Sequence, residues 1–119
     1  METLIEIQMN PMFEVLFMDD VHKFFKSIDQ KSKEKIIYNI DKARFRNDKE
    51  LFKKLKDEIW EFRTLYNKTF FRLFAFWDKS DRTETLVIVT HAIIKKTDKT
   101  PEKEIEKAEL IRLRYFKEK

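Results

Sequence analysis

Apolar residues in the first third of the chain recur every three or four positions, a spacing that places them on one face of a helix. They form two sets: Val21, Phe24, Phe25 and Ile28, followed by Ile36, Ile37, Ile40 and Ala43. Two acids, Asp19 and Asp20, precede the first set, where negative charge suits a helix N-terminus. Because only a break near Asp29–Gln30 separates the sets, the pattern predicts an antiparallel helical hairpin.

The middle of the chain has the composition of strands. Three segments rich in aromatic and β-branched residues, 58–65, 68–78 and 85–95, are separated by short polar links. Links of this length favour hairpins, so the three segments predict an antiparallel meander. Residues 12–18 predict a further strand ahead of the helices, and Leu4–Gln8 is another candidate.

Two shorter segments complete the pattern. Apolar positions within residues 51–55 predict a short amphipathic turn or helix before the sheet. Thr100 followed by Pro101 combines a favourable N-cap residue with a first-turn proline, which predicts a helix over the C-terminal residues. Residues 1–119 are therefore predicted to form a single α+β domain, in which a small antiparallel sheet carries a packed N-terminal helical hairpin and a C-terminal helix.

Composition excludes several classes of chemistry. The chain has no cysteine, which excludes a disulfide framework, a thiol nucleophile and thiol metal ligands. It has no glycine either, which excludes the glycine-rich loops of nucleotide-binding proteins. Turns that need positive φ are therefore expected at asparagine or aspartate, namely Asn47, Asn67, Asp78 and Asp81. No cofactor and no metal are expected. There is no membrane-length apolar run and no signal-peptide pattern, so a cytoplasmic location is expected.

The charge is unevenly distributed along the chain. The net charge is +4, yet residues 1–30 carry six acids and two lysines, a balance of −4. The remaining residues therefore carry +8. A basic surface of this kind suits a polyanionic partner.

Basic side chains and one histidine fall on the predicted strands. Because alternate residues of a strand share a face, His91 and Lys95 are expected on one face of the last strand. The same face is predicted to carry Val87, Val89 and Ile93. In a suitable register His91 and Lys95 would meet Arg63 and Arg72 of the two preceding strands. A histidine and several cations at the rim of a small sheet can hold a phosphodiester.

A Glu–hydrophobic–Arg strand, an aromatic-flanked Arg strand and a basic run before a charged helix follow one another along the chain. They are Glu61-Phe62-Arg63, Phe71-Arg72-Leu73-Phe74 and Lys95-Lys96-Thr97-Asp98-Lys99-Thr100-Pro101. In this order the motifs resemble the RelE/ParE toxin superfamily, and its HigB-type, phage-derived branch most closely, over residues 12–117. The resemblance implies the toxin of a type II toxin–antitoxin pair, which typically enters the ribosomal A site and cleaves the mRNA there.

The resemblance implies a metal-independent reaction in which the substrate 2′-OH attacks the adjacent phosphate. Arg72 is then predicted to stabilise the charge that develops on the phosphate, with Arg63 as its helper. His91 has the ordinary pKa of a general acid or base, and Lys95 is a further catalytic candidate. Structural alternatives remain: Arg63 can instead pair with Glu61. His91 can instead be a core or antitoxin-contacting residue.

Four more side chains are candidates for RNA contacts: Lys96, Lys99, Phe76 and Tyr66. Lys96 and Lys99 follow the last strand, where they would bind phosphates of mRNA or ribosomal RNA, and the aromatic residues would stack on bases. The alternatives are a solvated strand exit for the lysines and the protein core for the aromatic residues. His22 lies among acids and is interpreted as a surface residue.

The leading interpretation is a ribosome-dependent endoribonuclease that cleaves translated mRNA. Two alternatives remain open: a ParE-like inhibitor of DNA gyrase on the same fold, and a non-catalytic phage-derived binding module. The resemblance implies three partners, namely a small helix-turn-helix antitoxin, the ribosome and its mRNA. Operator DNA would be bound only through the antitoxin complex, and no membrane partner is implied.

Overall fold

Five strands and three helices make up the described part of the chain. A computed structural model describes residues 10–81, 85–97 and 99–119, so the strand expected at Leu4–Gln8 lies outside the described residues. In chain order the elements are β1 (Glu14–Phe17), α1 (Asp19–Ser27), α2 (Gln30–Phe45), β2 (Phe52–Lys56), β3 (Ile59–Tyr66), β4 (Thr69–Asp78), β5 (Leu86–Lys95) and α3 (Glu102–Glu118). The predicted α+β class is confirmed, with element ends close to those expected.

The strand order in the sheet is β1-β5-β4-β3-β2. The pairs β2–β3, β3–β4 and β4–β5 are antiparallel, which confirms the predicted meander. The prediction of a purely antiparallel sheet is wrong at one edge, because β1 pairs with β5 in parallel from Glu14–Leu86 to Phe17–Val89. A parallel pair needs a long crossover, and the chain between β1 and β5 supplies one through two helices and three strands.

The segment expected to be a short helical turn forms the edge strand β2 instead. Its backbone pairs with β3, and the Phe52 ring stacks on Phe62 with the ring centroids 4.1 Å apart. A register shift between Lys54 and Lys56 disturbs the alternation of side chains, which explains why the sequence pattern looked helical. Cross-strand aromatic packing therefore outweighs the local helical spacing at this position.

Tight turns close the hairpins without glycine. Asn67 and Lys68, which link β3 to β4, have φ angles of 51° and 61°, as expected for a type I′ turn. Of the four residues predicted for positive φ, only Asn67 has it; the prediction is wrong for Asn47, Asp78 and Asp81. Lys68 and Asp57 (φ 53°), which lies between β2 and β3, have positive φ instead.

The two faces of the sheet carry separate cores. On one face, α1 packs on β5 and α2 packs on β3, so both N-terminal helices lie on the sheet as predicted. On the other face, α3 covers a smaller apolar cluster that includes Phe74, Phe76 and Ala108. No helix within the described ranges has the length and apolar character needed to cross a membrane.

A β-bulge at Thr90 shifts the alternation of side chains in β5, so the residues after Thr90 lie on the opposite face of the sheet from the one that regular alternation predicts. Phe74 pairs with His91 and Ala75 pairs with Val89, so Thr90 is the extra residue. Val87 and Val89 therefore belong to the core under α1 and α2, whereas Ile88 and Ile93 belong to the core under α3. The expectation that His91 and Lys95 share a face with Val87 and Val89 is wrong for this reason. They lie on the α3 face.

The C-terminal part of α3 is held to the sheet by a buried carboxylate. The Tyr115 hydroxyl and the Lys119 ammonium each donate to Asp78 Oδ2 at 2.5 Å, and Ser80 donates to Oδ1. Burial by itself raises the pKa of Asp78, but these hydrogen bonds outweigh it and hold the pKa well below the ordinary value of 3.8. The contact fixes α3 relative to the end of β4.

Candidate functional site

Two arginines face each other across the sheet. Arg63 on β3 pairs directly with Arg72 on β4, and directly opposed residues of antiparallel strands share a face. Glu61, two residues before Arg63, lies on that face too. Both guanidinium groups place Nε 3.5 Å from Glu61 Oε1, and Arg72 and Glu61 are each only 2% exposed. One buried carboxylate therefore positions both cations.

A hydrogen-bonded chain links the same carboxylate to β5 and α3. The Thr100 hydroxyl donates to Glu61 Oε2 at 2.9 Å, and Lys95 Nζ donates to the Thr100 oxygen at 3.3 Å. Lys95 is buried, and its backbone pairs with Phe70 on β4. The sequence assigned Thr100 as the N-cap of α3, but Pro101 holds that position and no side chain caps the helix there. The Thr100 hydroxyl serves the buried cluster instead.

The arginines open onto a pocket of about 240 Å³. Its lining residues are Glu50, Arg63, Thr64, Leu65, Phe70 and Arg72. The Arg72 guanidinium carbon lies 5.3 Å from the centroid of the Phe70 ring, a cation–π distance. Leu65, directly opposite Phe70, is 58% exposed. The pocket thus combines guanidinium donors with one aromatic and one aliphatic surface.

His91 lies on the same face of the sheet but beneath α3. It is 3% exposed, and its ring stacks on Phe74 with centroids 4.8 Å apart. Nδ1 lies 2.8 Å from the Thr90 hydroxyl and Nε2 lies 3.2 Å from Glu104 Oε2. A neutral ring donates from Nε2 to Glu104 and accepts at Nδ1 the Thr90 hydroxyl proton, which can otherwise be donated to the Phe74 carbonyl oxygen 3.3 Å away.

Burial is the main cause of a lowered pKa at His91. Burial and the nearby Lys107 charge lower the pKa below 6.5, and Glu104 only partly opposes them. The ring therefore favours its neutral form at neutral pH. With its ring covered by α3, His91 contacts a substrate only if the first turn of that helix moves away.

The candidates for RNA contacts are scattered. Lys96 and Lys99 are exposed at the end of β5, as expected. Phe76 is fully buried against Tyr115 and Phe116, so a base cannot reach it and the predicted stacking role does not fit. Tyr66 packs on the core under α1 and α2, on the opposite face of the sheet from Arg63. Base stacking at this site therefore requires another residue.

Three residues of the site were not among the candidates. Glu61 was considered only as a partner for Arg63, although its place two residues earlier on the same strand already puts it on the same face. Thr100 was assigned to helix capping. Phe70 lay next to the predicted turn and was passed over in favour of Phe76. Its partial exposure was not evident from the sequence, because it depends on where α3 begins over the sheet: Glu104 already lies over His91, opposite Phe74, four residues along β4 from Phe70.

Within the ranges that the structure describes, no group of three or more His, Cys, Asp and Glu side chains is arranged to hold a metal ion. Among the described residues, the polar groups that converge are instead three cations, Arg63, Arg72 and Lys95, around the buried carboxylate of Glu61. Guanidinium and ammonium groups are side chains that bind phosphate.

A known protein family matches most of the chain. Residues 23–112, about three quarters of the sequence, match the model of the phage-derived, Gp49-like proteins (DUF891). The matched segment runs from α1 into α3 and includes the arginine pair and His91. No curated protein and no solved structure shows significant similarity to the chain. The chain therefore belongs to the phage-derived Gp49-like family, which is part of the RelE-like group of toxins of toxin–antitoxin systems.

Proposed function

We propose that the protein is the toxin of a type II toxin–antitoxin pair and acts as a ribosome-dependent endoribonuclease on translated mRNA. The observation that supports this most is the opposed pair Arg63 and Arg72, fixed by Glu61 beside an open pocket. Fixed guanidinium groups can stabilise the charge that develops on a phosphate without reorganising during the reaction. Membership of the Gp49-like family supports the toxin role.

The proposed reaction uses the substrate as its own nucleophile. The 2′-oxygen of one ribose loses its proton and forms a bond to the adjacent phosphorus, while the bond between that phosphorus and the 5′-oxygen breaks. The products are a 2′,3′-cyclic phosphate and a 5′-hydroxyl end, after the 5′-oxygen takes up a proton. Arg72, with Arg63, binds the non-bridging oxygens, which carry the most negative charge in the transition state.

Proton transfer falls to the remaining polar groups. Lys95 is the ammonium group of the cluster, and through Thr100 it is linked to Glu61, so we assign to it the donation of a proton to the leaving oxygen. We assign to the neutral His91 ring the acceptance of the 2′-OH proton, in a state where Glu104 and the start of α3 have moved away from it. Lys96 and Lys99 bind flanking phosphates. Phe70, in place of Phe76, supplies the surface on which a base stacks.

The proposed partners follow from the toxin role. The protein would be neutralised in the cytoplasm by a helix-turn-helix antitoxin encoded with it, and it would act on mRNA in the ribosome. Contact with operator DNA would occur only through the antitoxin complex. Inhibition of DNA gyrase and inert binding give different outcomes in the test below.

The test is induced expression followed by primer extension on a translated reporter mRNA, for wild type, Arg72→Ala and Arg44→Ala. Arg44 is the control, because it is also a partly buried, ion-paired arginine. Its partner is Glu14 of β1, which lies three strands away from β3 in the sheet. We expect growth arrest and mRNA cuts with wild type and Arg44→Ala, and neither with folded Arg72→Ala. Arrest with intact mRNA would instead indicate gyrase or another target, and no arrest would indicate an inert binding module.

A further inference from the structure

The edge strand β2 carries lysines that the site described above does not use. Lys53 and Lys54 are adjacent and exposed, yet they project to opposite faces of the sheet. Lys53 pairs with Glu61 and Lys54 pairs with Trp60 on β3. Since directly opposed residues share a face, Lys53 lies on the face of the arginine pair. Lys54 lies on the face that α1 and α2 cover, where Trp60 packs against the core.

Lys53 also differs from the other lysine on its side of the strand. Lys56 forms an ion pair with Glu102 of α3, with 2.8 Å between Nζ and Oε1. In the described part of the chain, Lys53 has no ion-pair partner. Its positive charge therefore lies beside those of the arginine pair on the same face. Four strands then contribute cations to one face, which we call the cationic row: Lys53, Arg63, Arg72 and Lys95.

We propose that single-stranded RNA crosses the sheet along the cationic row and that Lys53 binds a backbone phosphate at its β2 end. This inference rests on the proposed function, because it extends the same site. Neighbouring strands lie about 4.8 Å apart, and the row runs diagonally, because Lys95, the arginine pair and Lys53 lie at pair positions two residues apart along the strands. The row therefore spans roughly 20 Å from β5 to β2, enough for a few extended nucleotides. Arg72 and Lys95 are buried, so the direct contacts of the RNA along this path are with Arg63 at the pocket and Lys53 at the sheet edge.

A purely structural role for these lysines makes a different prediction. Lysines on an edge strand discourage edge-to-edge association of sheets, a function to which either face contributes. Under that role Lys53 and Lys54 are equivalent, whereas the RNA path requires only Lys53. The two lysines therefore serve as matched test and control, with the same side chain, the same strand and similar exposure.

The experiment measures binding of a short, fluorescein-labelled single-stranded RNA of mixed sequence across a series of salt concentrations. The proteins are wild type, Lys53→Ala, Lys53→Arg, Lys54→Ala and Arg63→Ala. We expect Lys53→Ala to lower the affinity several-fold and to reduce the slope of log K against log salt by about 0.7, the value for one phosphate contact. Lys54→Ala should match wild type, and Lys53→Arg should restore both quantities.

Each other outcome has a distinct meaning. If Arg63→Ala weakens binding while Lys53→Ala and Lys54→Ala behave alike, the extension to β2 is wrong and the proposed site stands. If wild type does not bind the RNA, or if Arg63→Ala and Lys53→Ala both bind as wild type does, the cationic row does not bind single-stranded RNA and this inference fails. The proposed function is then decided separately, by cleavage of mRNA on ribosomes. Circular dichroism confirms that each variant is folded.

Discussion

Arg63 and Arg72 occupy directly opposed positions on β3 and β4, and both guanidinium groups lie 3.5 Å from the same oxygen of Glu61. Like charges at opposed positions of a sheet repel each other. The buried carboxylate between them offsets this repulsion. Both arginines also line the pocket, where they can bind an anion.

Removing the carboxylate should destabilise the fold. Glu61→Gln leaves two buried or half-buried arginines without an anion between them, so we expect the free energy of unfolding to fall by about 3 kcal/mol. Urea denaturation followed by circular dichroism measures the change. Glu58→Gln, an exposed acid just before β3, is the control and should change stability by less than about 0.5 kcal/mol. Equal stability of the two variants would show that Glu61 does not anchor the arginines.

Removing a repulsive carboxylate from the pocket should strengthen RNA binding. Glu50 lines the pocket beside Arg63 and Arg72 and is exposed, so its charge opposes an incoming phosphate. We expect Glu50→Gln to raise the affinity for single-stranded RNA about two-fold, a modest change because solvent screens exposed charges. Glu34→Gln on α2 makes the same change in net charge away from the pocket. An equal rise in affinity for both variants would mean that only net charge matters.

Stability should fall as the pH is lowered through the ordinary pKa of histidine. Burial lowers the pKa of His91 in the folded state, so the unfolded chain binds the proton more readily. The contribution of the neutral ring is complete above about pH 7 and is lost as the pH falls below the unfolded pKa of about 6.5. Urea denaturation over this range should show a weaker pH dependence for His91→Gln than for wild type.

The same titration can be observed directly by NMR. The His91 ring signals, assigned by comparison with the His91→Gln spectrum, should titrate with a pKa below 6.5. A pKa above 6.5 would mean that the attraction of Glu104 for the charged ring outweighs burial. Protonation of the ring would then not destabilise the fold. The pH dependence of stability would then have the opposite sign.

The carboxylate that holds α3 should contribute at neutral pH and lose its contribution only in strong acid. Asp78→Asn removes charged hydrogen bonds to Tyr115 and Lys119, so we expect a loss of about 2 kcal/mol in the free energy of unfolding. Because the folded pKa is depressed, the wild-type advantage is complete above the unfolded pKa of about 3.9 and disappears as the pH falls through the folded value.

The control for that experiment is Asp41→Asn, which removes an exposed ion pair with Arg44 and should cost much less. Denaturation of both variants and wild type at several pH values separates the two effects. A loss for Asp78→Asn no larger than that for Asp41→Asn would show that the buried contact does not hold α3.

The alternation of side chains predicted most of the sheet but not the effect of one extra residue. Thr90 follows four consecutive apolar residues, Leu86 to Val89, so no polar–apolar alternation shows which face each side chain takes, and nothing local marks Thr90 as a bulge. The bulge appears only in the pairing of β5 with β4, where Phe74 opposes His91 and Ala75 opposes Val89. It brings His91 and Lys95 to the face of the arginines, but only Lys95 joins their cluster, through Thr100 and Glu61, whereas His91 contacts Thr90 and Glu104 beneath α3.

Long-range packing also decided the roles of two other residues. In the sequence, nothing distinguished Phe76 from the other aromatic residues of β4. It is buried because the path of α3 places Tyr115 and Phe116 against it. Thr100 had the local context of a helix cap, but its hydroxyl donates a hydrogen bond to the buried Glu61 carboxylate, 39 residues earlier in the chain. Local preferences predict an element well, whereas partners distant in sequence determine what an individual side chain contacts.

Cleavage of a short mRNA on purified ribosomes tests the central claim most directly. The mRNA is used both unmodified and with a single 2′-deoxynucleotide at the cleaved position, and ribosome-free samples are included. We predict cuts by wild type and Arg44→Ala only when ribosomes are present, none by Arg63→Ala or Arg72→Ala, and none at the 2′-deoxynucleotide. Intact mRNA with active, folded wild-type protein on programmed ribosomes would contradict the account, as would undiminished cutting at the 2′-deoxynucleotide.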